Sequence, residues 1–136
     1  MLLSIQNFQS IRSQSLELKG FVSIAGRSDC GKSALRRAIG SLLYNDWDSS
    51  FLRDGAKTCH ISLELDEQNK IVQTKGSENS YLTKVDGKVK TFDKVGTDTP
   101  DTVKALGFSL LETSTEAHNT TITTQLEPLI WWLTVL

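Results

Sequence analysis

One eight-residue segment constrains this chain more than any other feature. Residues 26–33 read GRSDCGKS and fit the pattern G-x-x-x-x-G-K-S. The two glycines let the backbone wrap around a phosphate chain, with its amides pointing inward as donors. The lysine can reach the β and γ phosphates, and the serine hydroxyl can hold Mg²⁺. The predicted phosphate-binding loop consists of Gly26, Arg27, Ser28, Asp29, Cys30, Gly31, Lys32 and Ser33.

The segments on either side of this loop have the composition that such a loop needs. Residues 21–25 read FVSIA, which is a short apolar run that favours a strand. After the loop, residues 32–44 carry apolar side chains at helical spacing and consist largely of good helix formers. The loop is therefore predicted to open a helix, whose N-terminal dipole strengthens the anion site.

The remainder of the chain is predicted to be rich in strands. The apolar patterns indicate strands at residues 2–11, 15–18, 56–66 and 70–74. Residues 81–85 and 88–92 flank the pair Asp86-Gly87, which predicts a β-hairpin. A short helix is expected to start at residues 99–101 and to run through Ala105, with Gly107 as its cap.

This order of elements differs from the simple alternation of a doubly wound fold. It predicts an α/β P-loop NTPase domain with a mixed sheet around the nucleotide and an antiparallel β-subdomain. A chain of 136 residues is long enough for one domain with a core. We therefore expect one domain over residues 1–136, with residues 55–97 as a strand-rich antiparallel insert.

The net charge and the spacing of the cysteines limit the classes of protein with which the sequence is compatible. The formal net charge of −1 argues against a broad basic surface for nucleic acid. Cys30 and Cys59, like His60 and His118, have no partners at metal-ligand spacing. The apolar run at 129–136 is far shorter than the ~20 residues that span a bilayer, and the N-terminus lacks the charged region of a signal peptide. We expect a cytoplasmic protein without a membrane partner.

Several segments together resemble the N-terminal half of the SMC-like ATPases, the SbcC type in particular. They are the first strand ending in NFQSI (7–11), LELKGF (16–21) leading into the loop, GKSALRRAI (31–39), FLRDG (51–55) before an alternating strand, and QLEPL (125–129). The resemblance covers essentially the whole chain and is greatest for phage and bacterial members that serve recombination and repair.

The resemblance implies a P-loop NTPase lobe of the ABC-type, the N-lobe, which binds ATP with particular residue roles. Lys32 would bind the phosphates and Ser33 the Mg²⁺. Gln125 would form the Q-loop, where a glutamine meets the metal and the γ-phosphate. Arg12 lies where the family often places a basic residue near the nucleotide. The expected cofactors are ATP and Mg²⁺, and the expected setting is a bacterial cytoplasm, which includes that of a phage-infected cell.

Two motifs of that family are missing from this sequence. Hydrolysis needs a strand of four apolar residues ending in Asp-Glu, which organises Mg²⁺ and polarises the attacking water. The nearest match, LELDE at 63–67, is interrupted by Glu64, and the signature Ser-Gly-Gly does not occur. The resemblance thus implies little or no hydrolysis by the chain alone. It implies a complementing C-lobe and coiled-coil polypeptide or a full-length ATPase as partner, and a nuclease as a further one.

The sequence is also compatible with two other classes of enzyme. A GTPase is suggested by Thr83-Lys84-Val85-Asp86 and Asp93-Lys94-Val95-Gly96, although the two motifs occur in the wrong order. A small-molecule kinase would need a catalytic aspartate and lid arginines, for which Asp46, Asp48 and Arg53 are available.

A non-catalytic role is the alternative function. The chain would then be an interaction or inhibitor module that binds a larger ATPase or DNA-processing complex. DNA contact could use the lysines of the predicted hairpin together with two arginines of the predicted helix, although edge lysines more often serve solubility. These residues are Lys84, Lys88, Lys90, Lys94, Arg36 and Arg37.

Overall fold

The described part of the chain is built around one antiparallel sheet with a helix packed on it. The computed structural model describes residues 1–20, 22–27 and 31–106, together with the backbone of 110–112 and 117–119. The strands are β1 (Leu2–Phe8), β2 (Ile11–Glu17), β3 (Thr58–Glu64), β4 (Lys70–Gly76), β5 (Ser80–Val85), β6 (Lys88–Asp93), β7 (Leu110–Glu112) and β8 (Ala117–Asn119). The helices are α1 (Lys32–Tyr44), α2 (Asp101–Lys104) and a 3₁₀ turn at Ser49–Phe51.

The main sheet has the strand order β2-β1-β3-β4-β5-β6, and each neighbouring pair is antiparallel. The strands of the stretch 55–97 join the N-terminal strands directly, because β3 pairs with β1 in a register that places Ile5 opposite Ile61. The predicted antiparallel β-layer is confirmed. The described residues contain no parallel pairing of the kind that a mixed sheet requires.

The hydrophobic core lies between α1 and one face of this sheet. Alternation along β3 buries every second residue, as predicted for residues 56–66. The predicted helix is also confirmed, since α1 runs from Lys32 to Tyr44 and buries one apolar stripe. The core consists of Leu3, Ile5, Phe8, Ile11, Ala34, Leu35, Ala38, Leu42, Leu43, Cys59, Ile61, Leu63, Ile71, Tyr81 and Val103.

The first predicted strand, residues 2–11, is wrong in its length. The chain turns at Gln9 and Ser10, so β1 ends at Phe8 and β2 begins at Ile11, directly opposite it. Asn7 and Gln9 have φ values of 56° and 46°, in the left-handed region. Non-glycine residues rarely adopt this conformation, so the sequence carries no strong turn signal at this point.

The predicted strand at residues 21–25 is also wrong over the part that is described. Residues 22–27 belong to no strand, and residue 21 lies outside the described residues. Val22 and Ile24 are 43% and 48% exposed. Strand formation needs a neighbour to complete the backbone hydrogen bonds, and none of the described strands lies beside this segment.

The predictions near the C-terminal end have mixed outcomes. The hairpin β5–β6 is confirmed, and its Asp86-Gly87 turn has positive φ at both positions, as that type of turn requires. The short helix is confirmed as α2, which Ala105 caps. Its predicted cap Gly107 lies outside the described residues. The pair β7–β8 was not predicted, because its three-residue strands are too short to give a pattern.

A buried polar network attaches the C-terminal end of α1 to the sheet. Gln73 Nε2 donates to the Ser41 carbonyl (2.8 Å) and to the Tyr81 hydroxyl (2.6 Å). The Tyr81 hydroxyl in turn donates toward the carbonyls of Ser41 (3.0 Å) and Leu42 (3.1 Å). The last four carbonyls of a helix have no partners within the helix. Side chains of β4 and β5 therefore act as the C-terminal cap of α1.

Replacing Tyr81 with phenylalanine is expected to lower the free energy of unfolding by about 1–3 kcal/mol, because it leaves buried acceptors without a donor. Urea unfolding would measure this loss. In a double-mutant cycle with Gln73→Leu, we expect a coupling of at least ~0.5 kcal/mol, since both side chains serve the same carbonyl. Additive effects of the two substitutions would contradict the network.

Candidate functional site

The N-terminus of α1 has the geometry that a phosphate-binding loop requires. Gly31 precedes the helix with φ 95° and ψ 4°, a left-handed conformation that glycine adopts without strain. Lys32 and Ser33 follow on the exposed side of the first turn. The first turn of α1 contains no acidic side chain. No carboxylate of this turn therefore competes with an anionic ligand for the free backbone amides. Ser28, Asp29 and Cys30, at the middle of the loop, lie outside the described residues.

The Lys32 side chain folds back over the beginning of the loop. Its Nζ donates to the Gly26 carbonyl and to the Arg27 carbonyl, the latter at 2.6 Å. An ammonium held at this point lies over the segment that would wrap around a phosphate chain. Bound phosphate would offer it charged acceptors, which form stronger hydrogen bonds than neutral carbonyls.

The turn between β1 and β2 lies against the other end of the loop. A Cβ atom built on Gly31 would lie 3.3 Å from Ser10 Oγ and 3.9 Å from Ile11 Cγ1. Glycine is therefore required at this position by its backbone conformation and is also favoured by the limited space. The sequence pattern predicted the loop glycine but gave no indication that the Gln9–Ser10 turn forms its wall.

Two other predicted site residues have no described contact with the loop. Arg12 is exposed on β2, one residue beyond Ile11, and its side chain forms no hydrogen bond within the described part of the chain. Gln125 lies outside the described residues. The described residues thus bring together Gly26, Arg27, Gly31, Lys32 and Ser33, and the roles of Arg12 and Gln125 stay predictions.

Positive charge predominates around this end of α1. Arg36 and Arg37 are exposed on the helix, and Arg53 approaches from the loop after it. None of these three arginines forms an ion pair within the described ranges, where the salt bridges join Lys19 to Glu17, Lys70 to Glu64 and Lys104 to Asp101. Unneutralised arginines near a helix N-terminus favour an anionic ligand.

The residues considered for a kinase site have structural roles instead. Asp48 caps the 3₁₀ turn by accepting from the Ser50 amide (2.8 Å), and hydrogen bonds from Ser50 lower the pKa of its carboxyl. Arg53 Nη1 donates to two backbone carbonyls. The residues considered for a GTPase site also have structural roles. Asp86 forms the hairpin turn, and the Thr83 hydroxyl donates to the Thr102 hydroxyl (2.8 Å).

The hairpin lysines do not form a single patch. Cross-strand partners share a face of the sheet, so Lys84, opposite Val89, points to one face. Lys88 and Lys90 are paired with alternate residues of β5 and point to the other face. Lys84 Nζ also donates to the Glu67 carbonyl (2.7 Å). The geometry therefore gives little support to a DNA-binding surface made of these residues.

The cysteine and histidine that can be described are in structural surroundings. Cys59 is fully buried in the core, and burial raises the pKa of its thiol to about 12. His60 Nδ1 lies 3.1 Å from the Thr74 hydroxyl. In the described ranges no group of three or more His, Cys, Asp and Glu is placed to hold a metal ion. Among the described helices, none has the length and apolar character that crossing a membrane requires.

Comparison with known proteins relates this site to a family of ATPases. A model of the family AAA_23, described as an AAA domain, matches residues 2–129. The DNA repair protein RecN of Vibrio cholerae is 32% identical over 81 residues, which are 59% of this chain and 15% of RecN. The chain thus corresponds to a small part of that relative.

A solved structure is also similar, from work on the ATP-driven dimerization and DNA-stimulated activation of SMC ATPases. It aligns over 79% of both chains with a TM-score of 0.48 and 19% sequence identity. The family model covers nearly the entire sequence, from the first strand through the phosphate loop and beyond the predicted Q-loop glutamine. The chain belongs to the AAA domain family, whose model covers residues 2–129.

Proposed function

We propose that this chain binds ATP with Mg²⁺ as the N-terminal lobe of an SbcC-type ATPase in DNA recombination or repair. The observation that carries the proposal is the arrangement at the start of α1. A left-handed Gly31, an exposed Ser33 and the Lys32 amine folded over the loop are the parts that a bound triphosphate needs. The similarity to RecN, a DNA repair protein, supports the proposed pathway.

Within this proposal, Lys32 binds the phosphates and the Ser33 hydroxyl ligates Mg²⁺. The amides of Gly26 through Gly31 cradle the phosphate chain, with Arg12 and Gln125 as further contacts expected from the family. The lobe holds the nucleotide but lacks the acidic strand that would polarise an attacking water. Hydrolysis therefore requires groups supplied by polypeptide outside residues 1–136, which we take to be a partner chain in the same cytoplasm.

A segment next to the site offers a place for such a partner. Residues 22–25 run into the loop and belong to none of the described strands. Val22 and Ile24 alternate with Ser23 and are about half exposed. Backbone groups and β-branched side chains that lack neighbours are completed when a strand is added beside them. A partner strand at this position would lie next to the bound phosphates.

The same segment favours the second candidate function, an interaction or inhibitor module without catalysis. In that case the partner contact at residues 22–25 is the biological activity, and the phosphate loop has no nucleotide of its own. The two functions differ in whether the isolated chain binds ATP.

Calorimetric titration of the purified chain with ATP and GTP in the presence of Mg²⁺, with phosphate release followed in the same sample, tests the proposal. We expect saturable binding of ATP and turnover no faster than that of a protein-free control. A preference for GTP would instead favour a GTPase. Absence of binding to either nucleotide would overturn the ATP-binding proposal and favour the interaction module.

A further inference from the structure

The turn between β1 and β2 is an unusual place to support a nucleotide site. Its two residues, Gln9 and Ser10, join Phe8 to Ile11, and Gln9 has φ 46° without being glycine. A strained turn of this kind persists only where its surroundings hold it. Ser10 Oγ lies against Gly31, so any movement of the turn would reach the last residue of the phosphate loop.

Arg53 holds this turn through its backbone carbonyls. Its Nη1 donates to the Gln9 carbonyl at 3.0 Å and to the Ser10 carbonyl at 3.1 Å. The backbone assists, because the Gln9 amide donates to the Phe51 carbonyl (2.8 Å) and the Arg53 amide donates to the Asn7 carbonyl (3.0 Å). The segment around residue 52 thus extends the pairing of β1 beyond its strand end, as the isolated bridge from Phe8 to Leu52 indicates.

A second arginine holds the same turn from the helix. Arg37 Nη1 donates to Gln9 Oε1 at 3.2 Å. This is one exposed bond, whereas Arg53 makes two bonds to the turn, of which the bond to Gln9 is partly buried. We therefore expect Arg37 to contribute less than Arg53. Together the contacts connect three parts of the molecule, namely the turn, the helix that the loop opens and the segment after the 3₁₀ turn.

We propose that Arg53 is a positioning residue for the phosphate loop, which holds the Gln9–Ser10 turn as a fixed wall against Gly31 and does not itself contact the phosphates. The inference rests on the proposed nucleotide binding. Its physical basis is preorganisation, because loop amides bind phosphate tightly only if their directions are fixed before the ligand arrives. Without this wall, Gly31 would have more conformational freedom, which nucleotide binding would have to restrict.

Two substitutions separate the geometry of Arg53 from its charge. Arg53→Lys keeps the positive charge, but its ammonium lies one bond short of the position from which Nη1 donates to both carbonyls. Arg53→Gln removes the charge as well. The matched control is Arg36→Gln, which removes an exposed arginine from the first turns of α1 that has no described partner.

The first measurement is calorimetric affinity for ATP and for ADP. We expect Arg53→Lys and Arg53→Gln to weaken both nucleotides equally, by about tenfold, as the loss of charge-assisted hydrogen bonds predicts. Arg36→Gln should change either affinity less than about threefold, since it loses only a long-range charge effect. Normal affinity in Arg53→Lys, or a loss confined to ATP, would indicate direct contact with phosphate and overturn the proposal.

The second measurement needs no nucleotide. Amide hydrogen exchange of the ligand-free chain should increase at residues 8–11 and 31–35 in both Arg53 variants and stay unchanged along β3 to β5. Unchanged exchange near the loop would overturn the positioning role even if the wild-type chain binds nothing. Absence of nucleotide binding by the wild type, with exchange increased as expected, would reject the proposed function alone.

Discussion

Replacing Lys32 with alanine is expected to weaken ATP binding by at least about a hundredfold while leaving the fold intact. The ammonium lies over the beginning of the loop, where it donates to the Arg27 carbonyl at 2.6 Å. In the nucleotide complex the same group would donate to phosphate oxygens, and hydrogen bonds between charged partners are about twice as strong as neutral ones. Calorimetry with ATP and Mg²⁺ measures the loss.

The fold should survive because Lys32 is exposed and belongs to no buried cluster. The thermal midpoint of the ligand-free variant should therefore lie within a few degrees of the wild type. Lys19→Ala is the matched control, since it also removes an exposed lysine, one that pairs with Glu17 on the far side of β2. It should bind ATP normally. Retention of ATP affinity in Lys32→Ala would mean that the phosphate site has been assigned to the wrong residues.

Replacing Gly76 with alanine is expected to destabilise the chain by about 3 kcal/mol or more. Gly76 ends β4 with φ 117°, a conformation that side chains other than glycine rarely adopt. A Cβ atom at this position would lie 2.3 Å from the Lys57 carbonyl oxygen, which is backbone and cannot rotate away. The backbone strain and the steric overlap both destabilise the variant. Thermal unfolding should therefore show a midpoint about 10 °C below that of the wild type.

Gly40→Ala provides the contrast within the same chain. Gly40 lies inside α1, and a Cβ atom there would meet nothing within 4 Å. Alanine is favoured over glycine in a helix by roughly 0.5–1 kcal/mol, so this variant should be slightly more stable than the wild type. Equal effects of the two substitutions would mean that the end of β4 is not packed against Lys57 as closely as described.

The elements predicted correctly are those whose signal is local. The helix from Lys32 to Tyr44 follows from apolar spacing over thirteen residues, with a glycine before it. The β5–β6 hairpin follows from Asp86-Gly87, because few residue pairs tolerate positive φ twice in succession. In both cases the residues that form the element also carry the information that specifies it.

The errors arise where the deciding contact is distant in sequence. Residues 21–25 have the composition of a strand, but a strand also needs a neighbour, which composition cannot provide. The turn at Gln9 and Ser10 contains no glycine and is held by Arg53, 43 positions away from Ser10. The segment FLRDG was noticed only as part of a family resemblance, so the hydrogen bonds of Arg53 to the turn were not anticipated.

The residues at and around α1 also differ in whether the sequence predicts their roles. Gly31, Lys32 and Ser33 could be predicted because they are consecutive in a motif. Gln73 looked like an ordinary polar residue of a strand, although its side chain is completely buried and bonds the backbone of α1. A glutamine of this kind gives no sequence signal, because the acceptor that it satisfies belongs to another element.

The capping of α1 by the sheet also affects the order in which the molecule can assemble. The carbonyl of Ser41 accepts hydrogen bonds from donors that lie 32 and 40 positions further along the chain, at Gln73 and Tyr81. Closing loops of this length slows folding, and a chain leaving the ribosome acquires these donors only after β5 has been synthesised. The C-terminal cap of the helix that follows the predicted phosphate loop can therefore form only after β4 and β5 are available.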